Sequence, residues 1–341
     1  MKIKTKSILK LKLLLYTSVI LFSVVLFNLL VTSNVQASTA YNSEIAYEER
    51  WDDTIEVVAN GKYIESATIP STINGKKVTR VSGFDDCKYL KKVTIPSTVT
   101  YIGFSAFENC TSLTSVNIPS SVTYLGSYAF AGCTSLTSIT VPGSITDVGS
   151  CVFSDCSKLK NVTLNNGLPE ISRCMFENCA SLTGISIPSS VKKIDWGAFT
   201  GCKSLTSVTI PATVTELYGN WKGEGIFANC TSLRTATINA KAPNIPEGMF
   251  YECGALTNVT FSDSMTKMDD AVFYDCKALT TITLPQNLTK IGDSTFYGCT
   301  KLKTINIGDK VETIDDEAFK NCTSLVSINF PMRSKKTWKC I

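Results

Sequence analysis

Ala106-Phe107-Glu108-Asn109-Cys110-Thr111-Ser112-Leu113-Thr114-Ser115-Val116-Asn117-Ile118-Pro119 is one period of a repeat. Its cysteine recurs as Cys87, Cys110, Cys133, Cys156, Cys179, Cys202, Cys230, Cys253, Cys276, Cys299 and Cys322, always 23 residues apart except for one step of 28. A Phe stands three residues before each, from Phe84 to Phe319, and a Leu three residues after, from Leu90 to Leu325. One such unit cannot bury its own apolar face, so eleven of them in tandem predict a solenoid whose coils bury one another.

Within a unit, Leu113-x-x-Val116-x-Ile118 has strand chemistry, with inward residues two apart. Pro119 ends the strand because it cannot donate to a ladder. A second inward pair follows, as Val122 and Leu125 or Val191 and Ile194, and Ala198-Phe199-x-x-Cys202 reads as a single helical turn. Gly, Asn or Asp precedes most of the cysteines, where a positive φ is wanted.

Taken together, L-x-x-I-x-I-P-x-x-V-x-x-I-G-x-x-A-F-x-x-C resembles the BspA-like class of leucine-rich repeat over about residues 65–330. The resemblance implies a leucine-rich-repeat solenoid with a parallel β-ladder, short second strands and single helical turns. It also implies a secreted or surface location on a bacterium and a link to adhesion, including to host matrix proteins. It carries over no catalytic residue and no fixed binding motif.

Ahead of the repeats, Lys2, Lys4, Lys6, Lys10 and Lys12 precede an apolar run from Leu13 to Val31, and Val35-Gln36-Ala37 offers a cleavage site. Residues 1–37 are therefore expected to be a signal peptide, leaving no membrane span after its removal. Residues 38–69 are expected to hold a patternless, mobile start up to about Arg50. A hairpin cap should follow, with Asn60-Gly61 as the turn between Thr54–Ala59 and Lys62–Ile69. The solenoid is assigned to 70–330 and a basic tail to 331–341. No second arm completes the last coil, so an array that normally continues, or a truncated one, is expected there.

Without the five leader lysines, 28 basic residues face 29 acidic ones, so the formal charge moves from +4 to −1. A near-neutral array has no electrostatic case for nucleic acid. There is no histidine, which removes the usual general base, the Ser/His and Cys/His nucleophile pairs and most zinc sites. Paired carboxylates such as Asp269-Asp270 or Asp315-Asp316 are the only catalytic candidates, and consecutive residues point apart. No catalysis and no cofactor are expected.

A residue 23 positions on lies one layer up, so outward positions form columns. Eleven cysteines in one column are read as buried reduced thiols acting as small hydrophobes. Outward strand positions are small and polar, as at Ser138 and Thr140, suiting a soluble face or an extended partner. Tyr251, Tyr274 and Tyr297 share a column, which is either a recognition slab or a stack that stabilises the turn. Tyr101, Phe104, Tyr124 and Tyr128 form a second aromatic group. Glu224, Glu247, Asp270, Asp293 and Asp316 form an acidic column, readable as caps of the helical turns or as a calcium-bound ridge. Cys151 and Cys174 share a column with Tyr128 and Glu317, which implies exposure and leaves an inter-coil disulfide open. The insertion in the 28-residue unit carries Tyr218 and Trp221, and Trp221 is the single residue most expected to make a specific contact.

These readings point to a secreted or cell-surface binding and adhesion module for an extracellular protein or glycan. The alternatives are a structural wall or surface-layer component and, more remotely, a polysaccharide-active enzyme.

Overall fold

The computed structural model describes residues 38–220 and 223–329. The leader 1–37, Trp221, Cys340 and the tail 331–341 lie outside the described residues. The solenoid lies within the compact unit Ala40–Ile341.

Each coil contributes to two parallel ladders. In the first, Ser138–Val141 pairs in register with Asn161–Leu164, and Ser207–Ile210 with Thr235–Ile238 and then Asn258–Phe261. In the second, Tyr101, Tyr124 and Asp147 lie side by side, with Ile102, Leu125 and Val148 beneath them. Both ladders keep the 23-residue step that the sequence period demands, apart from the 28-residue unit.

The Phe-x-x-Cys segment is not a helical turn; no helix occurs among the described residues. The reason lies in the backbone. Ser105 has φ 49° and Asn109 φ 56°, and left-handed residues four apart cannot continue a right-handed helix. Alternate amides instead point along the solenoid axis: Ser105, Phe107 and Asn109 donate to Ser127, Ala129 and Ala131 of the next coil at 2.9, 2.8 and 2.7 Å. Cys110 N–H bonds within its own coil, to Phe107 O at 3.2 Å. The residue before every repeat cysteine has positive φ, from Asp86 to Asn321, as the Gly/Asn/Asp pattern predicts.

The core is one continuous column. Ten successive ring pairs from Phe84 to Phe319 stack with centroids 5.1–5.8 Å apart. The cysteines beside them are buried, and they are more than small hydrophobes. Each thiol from Cys110 to Cys322 donates to the carbonyl of the Phe one coil below, at 3.1–3.2 Å. That carbonyl already accepts an N–H inside its own coil, so the thiol fills its second lone pair.

The amino-terminal cap differs from expectation. Ile45–Glu49, expected to be patternless, is a strand antiparallel to Ile55–Ala59, which in turn runs parallel to Lys76–Val81. Asn60-Gly61 does not close a hairpin, because Ser66–Thr68 leaves to begin the first ladder beside Lys92–Thr94. The Asn-Gly hairpin is Asn74-Gly75 instead, joining Thr72–Ile73 to Lys76–Val81 with φ 51° and 79°. The rule was sound and its location was not: Asn60 lacks the positive φ that a type I′ turn requires.

The first ladder is interrupted at 184–187, where Gly184 replaces the outward Asn161 or Ser207 of its neighbours. Glycine weakens a strand interior. The break leaves a surface depression of ≈ 390 Å³ lined by Gly184, Ile185, Ser186, Ile187, Ser207 and Thr209. At the far end of the described array, the last coil leaves a hollow of ≈ 530 Å³ lined by Phe319, Cys322, Leu325 and Ile328.

Candidate functional site

Tyr251, Tyr274 and Tyr297 stand on the turn side, two residues before their cysteines, each half-buried. Their rings stack with centroids 4.8 and 4.6 Å apart and interplanar angles of 12° and 3°. The backbone ladder beneath sets that spacing: Tyr251 O accepts from Asn229, and Tyr274 O from Glu252 at 2.8 Å. Each end of the row has a neighbour. Gly223 sits against Tyr251, where a Cβ would lie 3.3 Å from the ring, and the Lys320 ammonium is 5.8 Å from the Tyr297 centroid. Ring faces are therefore consumed within the row, and solvent meets ring edges and hydroxyls. Burial raises the hydroxyl pKa of Tyr251 and Tyr274, so these two hydroxyls keep their protons and can both donate and accept.

Tyr218, in the insertion, is 45% exposed, donates to Glu216 at 3.0 Å and lies under the Lys193 ammonium at 5.7 Å. Gly219 presses on the Glu247 backbone, where a Cβ would come within 2.2 Å of the carbonyl oxygen, and Asn220 donates to Glu224 at 2.9 Å. The described part of the insertion is thus seated on the next coil, with Gly223 against the first ring of the tyrosine row.

The acidic column is strung along the layers. Asp270 accepts the backbone N–H of Asp293 one coil up at 2.9 Å, and Asp293 accepts the Ser294 hydroxyl at 2.6 Å. Asp270 therefore caps the neighbouring coil, not a helical turn of its own. Burial raises the Glu247 carboxyl, with Asp270 and Asp269 adding to it. Glu224, Glu247, Asp270, Asp293 and Asp316 do not converge: among the described residues, the one group of three or more potential metal donors within 4.8 Å of one another is Cys151, Cys174 and Glu177.

Cys151 and Cys174 are brought together as free thiols, and they are buried, 8% and 6% exposed, contrary to the exposure their column implied. The longer Tyr128 and Glu317 side chains reach solvent from this left-handed turn position, whereas a short thiol stays back against the adjoining coil. Hydrogen bonds received from Cys174 and then Tyr128 bring the Cys151 thiol down to about 7 against the opposing effect of burial, while Cys174, the donor in that pair, is pushed up. Burial also raises the Glu177 carboxyl, which lies beside the two thiols. Sequence reading missed Glu177, although it occupies the column of Tyr251 and sits three residues after Cys174. It also missed the exposed Tyr63–Tyr89 pair near the cap, with centroids 5.9 Å apart.

No helix among the described residues is long and apolar enough to cross a membrane. The profile of the BspA type leucine rich repeat region matches in six copies, over residues 77–206, 169–253 and 222–338. Similar solved structures include a leucine rich cell surface protein from Faecalibacterium prausnitzii A2-165, at 27% identity over 87% of this chain and 95% of that one, with TM-score 0.48. A leucine-rich repeat protein from Eubacterium ventriosum ATCC 27560 is similar at 20% identity over 88% and 98%, with TM-score 0.51. The pneumococcal vaccine antigen PcpA is similar at 19% over 86% and 87%, with TM-score 0.52. The last two share the solenoid fold. No curated protein sequence matches the chain. The repeat profile spans well over half of the sequence, and its Phe, Cys and Leu positions are the ones that build the core: the chain belongs to the BspA type leucine-rich-repeat family.

Proposed function

We propose that this protein is a secreted or cell-surface adhesion module that binds an extracellular protein, with the Tyr251–Tyr274–Tyr297 row as its recognition element and no catalysis of its own. The observation that carries the reading is the face-to-face packing of that row. Free ring faces would favour a sugar. Ring edges and three hydroxyls about one strand spacing apart suit polar and amide groups on a protein surface instead. Tyrosines held rigidly by their neighbours also lose little entropy when a partner docks. The cell-surface description of the Faecalibacterium protein supports the location.

The full chain, applied to a panel of immobilised extracellular-matrix proteins and to a glycan array, is expected to be retained by at least one matrix protein. Retention by glycans alone would move the site off the tyrosine row. Retention by neither would favour a structural wall component.

A further inference from the structure

Two neighbouring coils place Cys151 and Cys174 at a position that Ser105, Tyr128, Gly197, Gly248, Ala271, Ser294 and Glu317 fill elsewhere. The backbone does not ask for cysteine there, since all seven of those residues keep the left-handed turn. These two thiols also differ from the core column, whose sulfurs from Cys110 to Cys322 each donate to a phenylalanine carbonyl. They face each other and the Glu177 carboxylate, with all three donor atoms within 4.8 Å of one another.

We infer that Cys151, Cys174 and Glu177 form a binding site for a thiophilic divalent cation, of which Zn²⁺ is the chemical type. Two sulfurs and one carboxylate are a donor set that zinc accepts, at ~2.3 Å to sulfur and ~2.0–2.2 Å to oxygen, with solvent as the fourth ligand. Donors bound at those distances in a tetrahedron lie ~3.5–4 Å apart, so the observed group, within 4.8 Å, needs a contraction of at most about 1.3 Å. Gly197 leaves room beside the Cys174 sulfur, where a Cβ would come within 2.7 Å. Charges of both signs reach the site: Asp155 and Glu224 act on Glu177, and Arg173 acts on Cys151. The nearby Arg173 is turned onto the Trp196 ring, 5.1 Å from its centroid. Binding requires both sulfurs as thiolates and Glu177 as carboxylate, so each cation taken up releases whatever protons these three groups still carry at that pH.

The test uses the full chain, freed of metal, reduced with a phosphine and titrated with Co²⁺. One equivalent should produce sulfur-to-cobalt charge-transfer absorption with the ligand-field bands of a tetrahedral site, and Zn²⁺ should abolish both. Cys151→Ser and Cys174→Ser should each weaken binding about 100-fold, and Glu177→Gln about 10-fold with the charge-transfer band retained. Circular dichroism of each variant establishes that the ladders persist, and the eleven core cysteines are unchanged in all of them. The site is refuted by the absence of a saturable one-to-one spectrum in the parent chain. It is equally refuted by an unchanged spectrum in the Cys151→Ser/Cys174→Ser double variant. A Cys151–Cys174 disulfide in the unreduced protein, with no cation uptake after reduction, also overturns it.

Discussion

A thiol at the Cys202 position combines two properties: it fills core volume beside the phenylalanine stack, and it donates to the Phe176 carbonyl at 3.2 Å. Alanine keeps neither the volume nor the donor. Cys202→Ala is therefore expected to cost about 2 kcal/mol, measured as a lowered urea midpoint. Asp269, next to the acidic column, offers a second prediction. Burial, followed by the neighbouring Asp270 charge, holds the Asp269 carboxyl above its ordinary range. A carboxyl raised on folding destabilises the native state once pH climbs through the folded value, and the penalty disappears as pH falls below the unfolded value. Asp269→Asn should therefore melt above the parent at neutral pH and level with it below the ordinary carboxylate range. The inward residues were legible because they repeat; the thiol's bonding was not, because no side-chain list reveals that a carbonyl one coil below lacks a second donor. Likewise Glu177 drew no notice, since its importance comes from two cysteines on a different column.

Elements are set by where φ is positive. Gly201, at φ 72°, packs where a Cβ would lie 2.3 Å from Asn178 Oδ1 of the coil below. Gly201→Ala combines backbone strain with that clash and is expected to lose about 1–2 kcal/mol, again by urea unfolding. The same left-handed residues explain why a sequence that spells a helical turn forms none: Ser105 and Asn109 turn alternate amides toward the next coil. The period-two pattern gave the strands of both ladders directly. It could not locate the cap hairpin, because two Asn-Gly pairs compete and only tertiary pairing of Ser66–Thr68 with Lys92–Thr94 decides between them.

On the scale of the whole molecule, stability is carried by contacts between adjacent coils, so damage in the middle divides the array. Phe199, stacked on Phe176 and Phe227, is central. Phe199→Ala is expected to cost about 3–5 kcal/mol and to split thermal unfolding into two phases, seen by calorimetry. The acidic ridge runs the other way: its carboxylates do not converge, so added calcium should leave the parent's melting temperature unmoved. What such an array supplies to function is a long rigid frame on which variable columns are displayed at fixed spacing. The most direct test of that account is the dissociation constant of a Tyr251→Phe/Tyr274→Phe/Tyr297→Phe variant for the matrix protein that retains the parent chain. The variant keeps the ring stack and loses the three hydroxyls. The account predicts at least a tenfold weakening with an unchanged melting temperature, on the order of 1 kcal/mol per well-placed hydrogen bond. An unchanged dissociation constant would contradict it.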